Sequence, residues 1–470
     1  MTDLTSLSAT TLATRLANGE TTAVEVMTAH LDRIDAVNPA VNAIIELQPR
    51  ADLLAEAKAA DAAPRKGWLH GLPFAVKNLV DVQGLPTTSG SPIFAGYVAP
   101  KDDLLAARLR AAGAIFIGKT NTPEFGLGSH SFNPVHGTTL NPYDLTRTAG
   151  GSSGGAAAAL AARLVPVADG SDTMGSLRNP AAFCNIYGFR PSFGLIPGDP
   201  VGETFLNQIS TEGPMARNVE DIARLLQVMA GPEPGFPHFR PTEPFADDLD
   251  TDPKGARIGW LADWGGAYPM EPGILALCES ALGTFTALGA HVEPVAPPMP
   301  ATQLWDSWMA LRGFANAGTK AALYNDPKTR ALLKPEMIWE IERGMALTAA
   351  EVWTASVIRS QWFATLATLF ETYDALVLPA AQVWPFPADW RYPETINGQP
   401  MDTYHRWMEV VIPPSLVGLP ALAIPAGFGA NGLPMGMQLF GPRGADRAIL
   451  RLGQAYHRAT DWPERRPPGL

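Results

Sequence analysis

The chain has 470 residues, 46% hydrophobic and 17% charged, which is the composition of a folded globular protein and excludes a disordered or fibrous one. Its 35 Lys and Arg stand against 46 Asp and Glu, a net charge of -11, so the basic footprint of a nucleic-acid binder or of a protein docking on anionic membranes is missing. Cys184 and Cys278 are too few for a disulfide framework and lack zinc-site spacing; with no basic-then-apolar leader and no run of ~18 apolar residues, a cytoplasmic chain without membrane partner is expected.

Near the start, Thr22 stands three residues before Glu25, a capping-box pattern, and Val24, Met27, Leu31 and Ile34 follow at helical spacing. An amphipathic helix is predicted there. Short apolar runs at 72–76, 114–117, 257–261, 375–379, 421–425 and 435–439 read as strands, with helical patterns such as 104–112 and 221–229 between them. This interleaving predicts an α/β fold around a buried sheet. The Pro-rich stretches 231–253 and 295–300 read as surface loops.

The segment from Thr148 carries the chemistry. Gly150–Gly155 reads GGSSGG and runs into an Ala-rich stretch of high helix propensity, which places Ser152 and Ser153 just ahead of a helix N-terminus. By itself such a run is also the composition of a flexible linker. Residues 164–168 are predicted as a buried strand, followed by a tight hydroxyl-rich turn from Gly170 to Ser176. Such a turn can aim consecutive amides at the oxyanion of an acyl-transfer intermediate. Lys77 closes the apolar run 72–76, and a lysine buried there would lose its charge more readily and could act as a general base.

These blocks resemble the amidase signature family, whose Ser–cisSer–Lys enzymes place a relay serine in GGSSGG and the nucleophile in a later G-T-D-x-G-G-S-I-R element. The 24-position interval from Ser152 to Ser176 is the family's own, and Arg178, residues 180–184 and residues 188–191 continue the pattern, with Arg190 where lysine is usual. Residues 70–78 resemble its H-G-x-P-x-x-x-K-D element, with Asn78 in place of the acid. Met174 replaces the first glycine of the G-G pair. Further likeness runs through residues 119–125, 141–144, 213–217, 418–421 and 432–438 and is poorest over 242–413.

The resemblance implies one large α/β domain over 1–470, with a central twisted mixed sheet covered by helices on both faces. A signature core spans about 65–220 and a variable pocket region 242–413. It implies hydrolysis of a C–N amide-type bond (amide, aryl amide or carbamate, with side esterase activity) and no cofactor or metal. Ser176 would be nucleophile, Ser152 relay and Lys77 base; the amides of Thr173, Met174, Gly175 and Ser176 would form the oxyanion hole. Ser153 is expected to hydrogen-bond the turn together with Asp172 or Arg178. Small-molecule amides are the implied partners, with a homodimer the common assembly.

Phe125, Ser129 and His130 are candidate pocket residues. His130 and His136 could also be imagined as a Ser/His pair or metal ligands, but no partnering acid or ligand cluster accompanies them. Eight of the 12 tryptophans lie between Trp305 and Trp407, read either as core or as the wall of a pocket for a bulky or aromatic substrate. Two other functions stay open: a glutamine amidotransferase A-type subunit delivering ammonia to a partner, and a non-catalytic binding protein of the same fold.

Overall fold

The computed structural model describes residues 3–470. Two sheets carry the fold. The smaller pairs β1 (Ile44–Ile45), β3 (Ile115–Thr120) and β2 (Pro73–Lys77), with β2 and β3 parallel and β1 antiparallel to β3. The larger has eight strands: β4 (Val167–Asp172), β5 (Tyr187–Arg190), β6 (Thr211–Ala216), β7 (Arg257–Trp260), β8 (His291–Pro294), β9 (Ala375–Pro379), β10 (Ala421–Phe428) and β11 (Pro434–Phe440). Their spatial order is β8-β7-β9-β11-β10-β5-β6-β4. β7 runs parallel to β8 and β9, and the remaining neighbours are antiparallel, so the sheet is mixed. All six apolar runs of the sequence are strands of these sheets.

Consecutive residues of a strand face opposite sides of its sheet. Every residue of β9 and β11 is buried, so both faces there are covered. The main helices are α1 (Ala23–Val41), α2 (Leu104–Ala111), α3 (Gly154–Ala161), α4 (Arg178–Phe183), α5 (Val219–Met229) and α6 (Ile274–Ala287), then α7 (Ala301–Asn325), α8 (Pro335–Met345), α9 (Ala349–Leu369) and α10 (Asp446–Thr460). α1 begins with the expected reciprocal cap between Thr22 and Glu25. α10 packs on both α5 and α6, and α8 and α9 both pack on α7. No described helix is long and apolar enough to cross a membrane.

The strand expected at 164–168 starts later, at Val167, and continues to Asp172. Its antiparallel ladder with β6 runs from Val167 opposite Ala216 to Asp172 opposite Thr211, so backbone pairing takes in the small residues Gly170 and Ser171. The turn is confined to Thr173–Ser176 and Gly175 alone of these takes a left-handed φ, 77°. Met174 needs no such freedom, which explains how it can replace a glycine.

Helix α3 is buried along its whole length and sits directly against the end of β3. A Cβ on Gly155 would lie 2.2 Å from the Asn121 nitrogen and 2.5 Å from its oxygen, both backbone atoms that cannot step aside. Gly155→Ala is therefore expected to destabilise the protein by about 1–3 kcal/mol, read as a lower urea midpoint; an unchanged midpoint would show that α3 is not held this closely.

Candidate active site

Lys77 ends β2 at the line where the two sheets meet. Its side chain is fully buried and its backbone N–H donates to Asp169 Oδ1 on β4 at 3.0 Å. The amine stands 2.8 Å from Ser152 Oγ, 2.9 Å from Ser153 Oγ and 2.8 Å from Ser171 Oγ. Three hydroxyls thus match the three hydrogen-bonding directions of the nitrogen. Burial pulls its pKa below the ordinary 10.5, against the charges of Glu212, Asp169 and Asp172, which hold it up. Glu212, paired with Ser171 across the ladder, has its own pKa raised by burial, and its Oε2 finds no hydrogen-bond partner among the described residues. Burial likewise raises Asp169 to about 6.

Ser152 and Ser153 lie where expected, immediately before α3, and the Gly151–Ser152 peptide is cis. Ser153 bonds the backbone of Ser171 in the 170–176 segment, and it also contacts the Lys77 amine, which the sequence did not suggest; it makes no bond to Asp172 or Arg178 among the described residues. The Ser153 amide donates to the Ser176 carbonyl at 3.2 Å, which sets the two serine segments side by side. Ser176 Oγ makes no hydrogen bond among the described residues and borders a cavity of about 250 Å³.

Asp172 shapes the turn that holds Ser176. It accepts from the Gly175 amide at 2.9 Å and from the Leu177 amide at 3.3 Å, and it pairs with Arg178 at 2.9 Å and Arg190 at 3.1 Å. All three charged side chains are fully buried. Burial alone would raise the Asp172 pKa, but Arg178, Arg190 and the Gly175 amide reverse this and hold it well below 3.8. Because the Gly175 amide is directed to Asp172, it leaves the expected oxyanion set, and the amides of Thr173, Met174 and Ser176 remain. Asn78 turns its amide to Thr88, at 2.6 Å, and so does not stand in for an acid beside Lys77.

Of the three candidate pocket residues, Phe125 lines the cavity beside Ser176, with Met174, Ile209 and Met408. Ser129 does not: its hydroxyl donates to the Gly151 carbonyl at 2.6 Å and so fastens the loop that carries Ser152. His130 is also held elsewhere, 2.7 Å from Thr148 Oγ1 and 3.1 Å from the Ala388 carbonyl, and burial lowers its pKa to about 4, so it stays neutral. His136 stands against Thr88 Oγ1 at 3.0 Å. No three His, Cys, Asp or Glu side chains among the described residues are grouped to hold a metal. Trp305, Trp308, Trp362 and Trp407 are core residues, and no tryptophan lines this cavity, so the aromatic density gives no support to a bulky aromatic substrate.

Residues missed in sequence are Ser171, Asp169 and Glu212 around the lysine, and a polar face of α7 on the cavity wall. The last had a readable signal: Arg312, Asn316, Thr319 and Lys320 recur at helical spacing.

The Amidase family model matches residues 25–450. An acylamidase of Rhodococcus erythropolis is 34% identical, covering 98% of this chain and 97% of its own. A glutamyl-tRNA(Gln) amidotransferase subunit from Chloroflexus aggregans is 36% identical, with 99% of each chain covered. Among solved structures, a bacterial aryl acylamidase of the amidase signature family superposes with a TM-score of 0.91 at 28% identity, over 99% of both chains.

Asp172→Asn would leave two buried guanidiniums without their carboxylate, a loss of about 3–5 kcal/mol. Since the folded pKa is depressed, Asp172 contributes its full stability above pH 3.8 and loses it as pH falls below that value. Denaturation curves from pH 7 to 3 should show the wild type converging on the variant; a constant gap between them would contradict the ion-pair role.

Proposed function

The chain belongs to the amidase signature family and hydrolyses C–N amide-type bonds, and we propose that it does so through an acyl-enzyme on Ser176, with Ser152 as proton relay and Lys77 as base. The observation that carries this reading is the 2.8 Å contact between a buried lysine amine and the Ser152 hydroxyl, with no carboxylate of the described residues in hydrogen-bond reach of that amine. A neutral amine accepts a proton from Ser152 while Ser152 takes one from Ser176, whose oxygen bonds to the carbonyl carbon. The oxyanion is held by the amides of Thr173, Met174 and Ser176. Ser152 passes its proton to the nitrogen and regains one from Lys77, the carbonyl re-forms as the C–N bond breaks, and the amine leaves. Water then attacks the ester, losing its proton along the same path, and the carboxylic acid leaves as Ser176 regains its hydrogen. The Ser152–Ser176 bond forms with substrate in place, as catalytic hydrogen bonds tighten in such complexes.

Linear acyl amides and anilides are the substrate class favoured by the acylamidase relatives. We read residues 1–470 as one catalytic unit, in which the 242–413 region supplies the α7 wall of the cavity. A glutaminase subunit serving an amidotransferase is the second reading, favoured by the 36% identical relative. Ammonia release from glutamine in the absence of anilide hydrolysis would select it.

Ser176→Ala should lower kcat/KM on a 4-nitroanilide by at least about 1,000-fold, with unchanged thermal unfolding. Lys77→Met should do the same; full activity in either variant refutes the assignment. In the wild type, kcat/KM should fall on the acid side as Lys77 takes up a proton. Glu212 holds the Lys77 pKa up, so Glu212→Gln should move that acid limb to lower pH; a shift to higher pH would contradict the electrostatic assignment.

A further inference from the structure

One wall of the cavity beside Ser176 is a single face of α7, where Arg312, Ala315, Asn316, Thr319 and Lys320 stand at i, i+3, i+4, i+7 and i+8. Two of these are cationic, and among the described residues no Asp or Glu lines the cavity. In a chain of net charge -11 this is a local reversal of sign at the cavity that Ser176 borders.

The two cations are not equivalent. Arg312 is buried, its Nε lies 2.6 Å from Glu340 Oε1 and its Nη2 donates to the Tyr404 hydroxyl at 2.8 Å. Its charge is therefore answered from behind the wall. Lys320 has no such partner among the described residues: burial pulls its pKa down and no carboxylate holds it up. Its ammonium stands 5.3 Å from the centre of the Phe125 ring, a cation–π distance. Phe125 itself is held at φ 53°, a conformation uncommon outside glycine, with its amide bonded to the Ser89 carbonyl at 2.8 Å. A half-buried ammonium against an aromatic face, with Asn316 one turn before it on the same wall, is a preformed receptor for one anionic group. A single ammonium is a point charge suited to a carboxylate, where planar bidentate recognition would call for arginine.

We infer that Lys320 is the specificity-determining residue for an amide substrate that carries a carboxylate, such as a monoamide of a dicarboxylic acid or an N-acylated amino acid. The carboxylate pairs with the ammonium over Phe125 while the scissile carbonyl lies at Ser176. This rests on the amidase reading of the cavity and adds the chemical class of its substrate.

The test separates binding from catalysis. In Ser176→Ala protein, calorimetry compares glutaric acid mono-4-nitroanilide and 4-acetamidobenzoate, which carry the carboxylate on the acyl and amine sides, each against its methyl ester. At least one acid should bind about 10-fold tighter than its ester, less so at high salt. That preference should collapse in Ser176→Ala/Lys320→Met and persist in Ser176→Ala/Lys320→Arg. Equal affinity of both acids and their esters, or a preference that survives Lys320→Met, would overturn the inference. Because no bond is cleaved in this measurement, failure of the hydrolytic reading cannot be mistaken for failure of this one.

Discussion

The site depends on keeping one amine out of water with hydroxyls as its nearest partners. Lys77 is fully buried, and its three closest polar contacts are Ser152, Ser153 and Ser171, between 2.8 and 2.9 Å. Desolvation works against the ammonium form, and the carboxylates that would restore it do not touch the nitrogen. A direct ion pair would fix the proton on Lys77 and rule out the base role proposed for it. The gap between β2 and β4 serves this end: the strands are tied there by the Lys77 amide and Asp169, while the side chain crosses to the serine loop.

Strand β4 divides the work through its alternation. Asp169 and Ser171 face one side of the sheet, towards Lys77, and Asp172 faces the other, towards Arg178 and Arg190. One short strand therefore sets the surroundings of Lys77 and anchors the turn that carries Ser176. The buried Asp172 hub costs desolvation that its two guanidiniums offset, and it orients the amides around Ser176. Met174 fits the turn because, within it, left-handed backbone falls at Gly175.

Much of this was legible in the sequence. Each of the six apolar runs forms a strand, the Thr22–Glu25 box caps a helix, and the run after GGSSGG is the buried α3. Ser152 and Lys77 meet as their motifs implied. What was not legible depends on pairing across the chain. The extent of β4 is set by its ladder with β6, about 40 residues away in sequence, which local small-residue patterning cannot reveal. The partner of Ser153 and the roles of Ser129 and His130 follow from how loops stack around α3, and Glu212 reaches the site only through its register with Ser171. The tryptophans were ambiguous for a different reason, since core and pocket walls share a composition and only burial separates them.

The most direct measurement is the site and pH dependence of labelling by phenylmethylsulfonyl fluoride, read by mass mapping of the modified peptide. One adduct on Ser176 is expected, forming faster as pH rises through the lowered pKa of Lys77 and nearly abolished in Lys77→Met. An adduct on Ser152 or Ser153, or an unchanged labelling rate in Lys77→Met, would contradict the assignment of nucleophile and base.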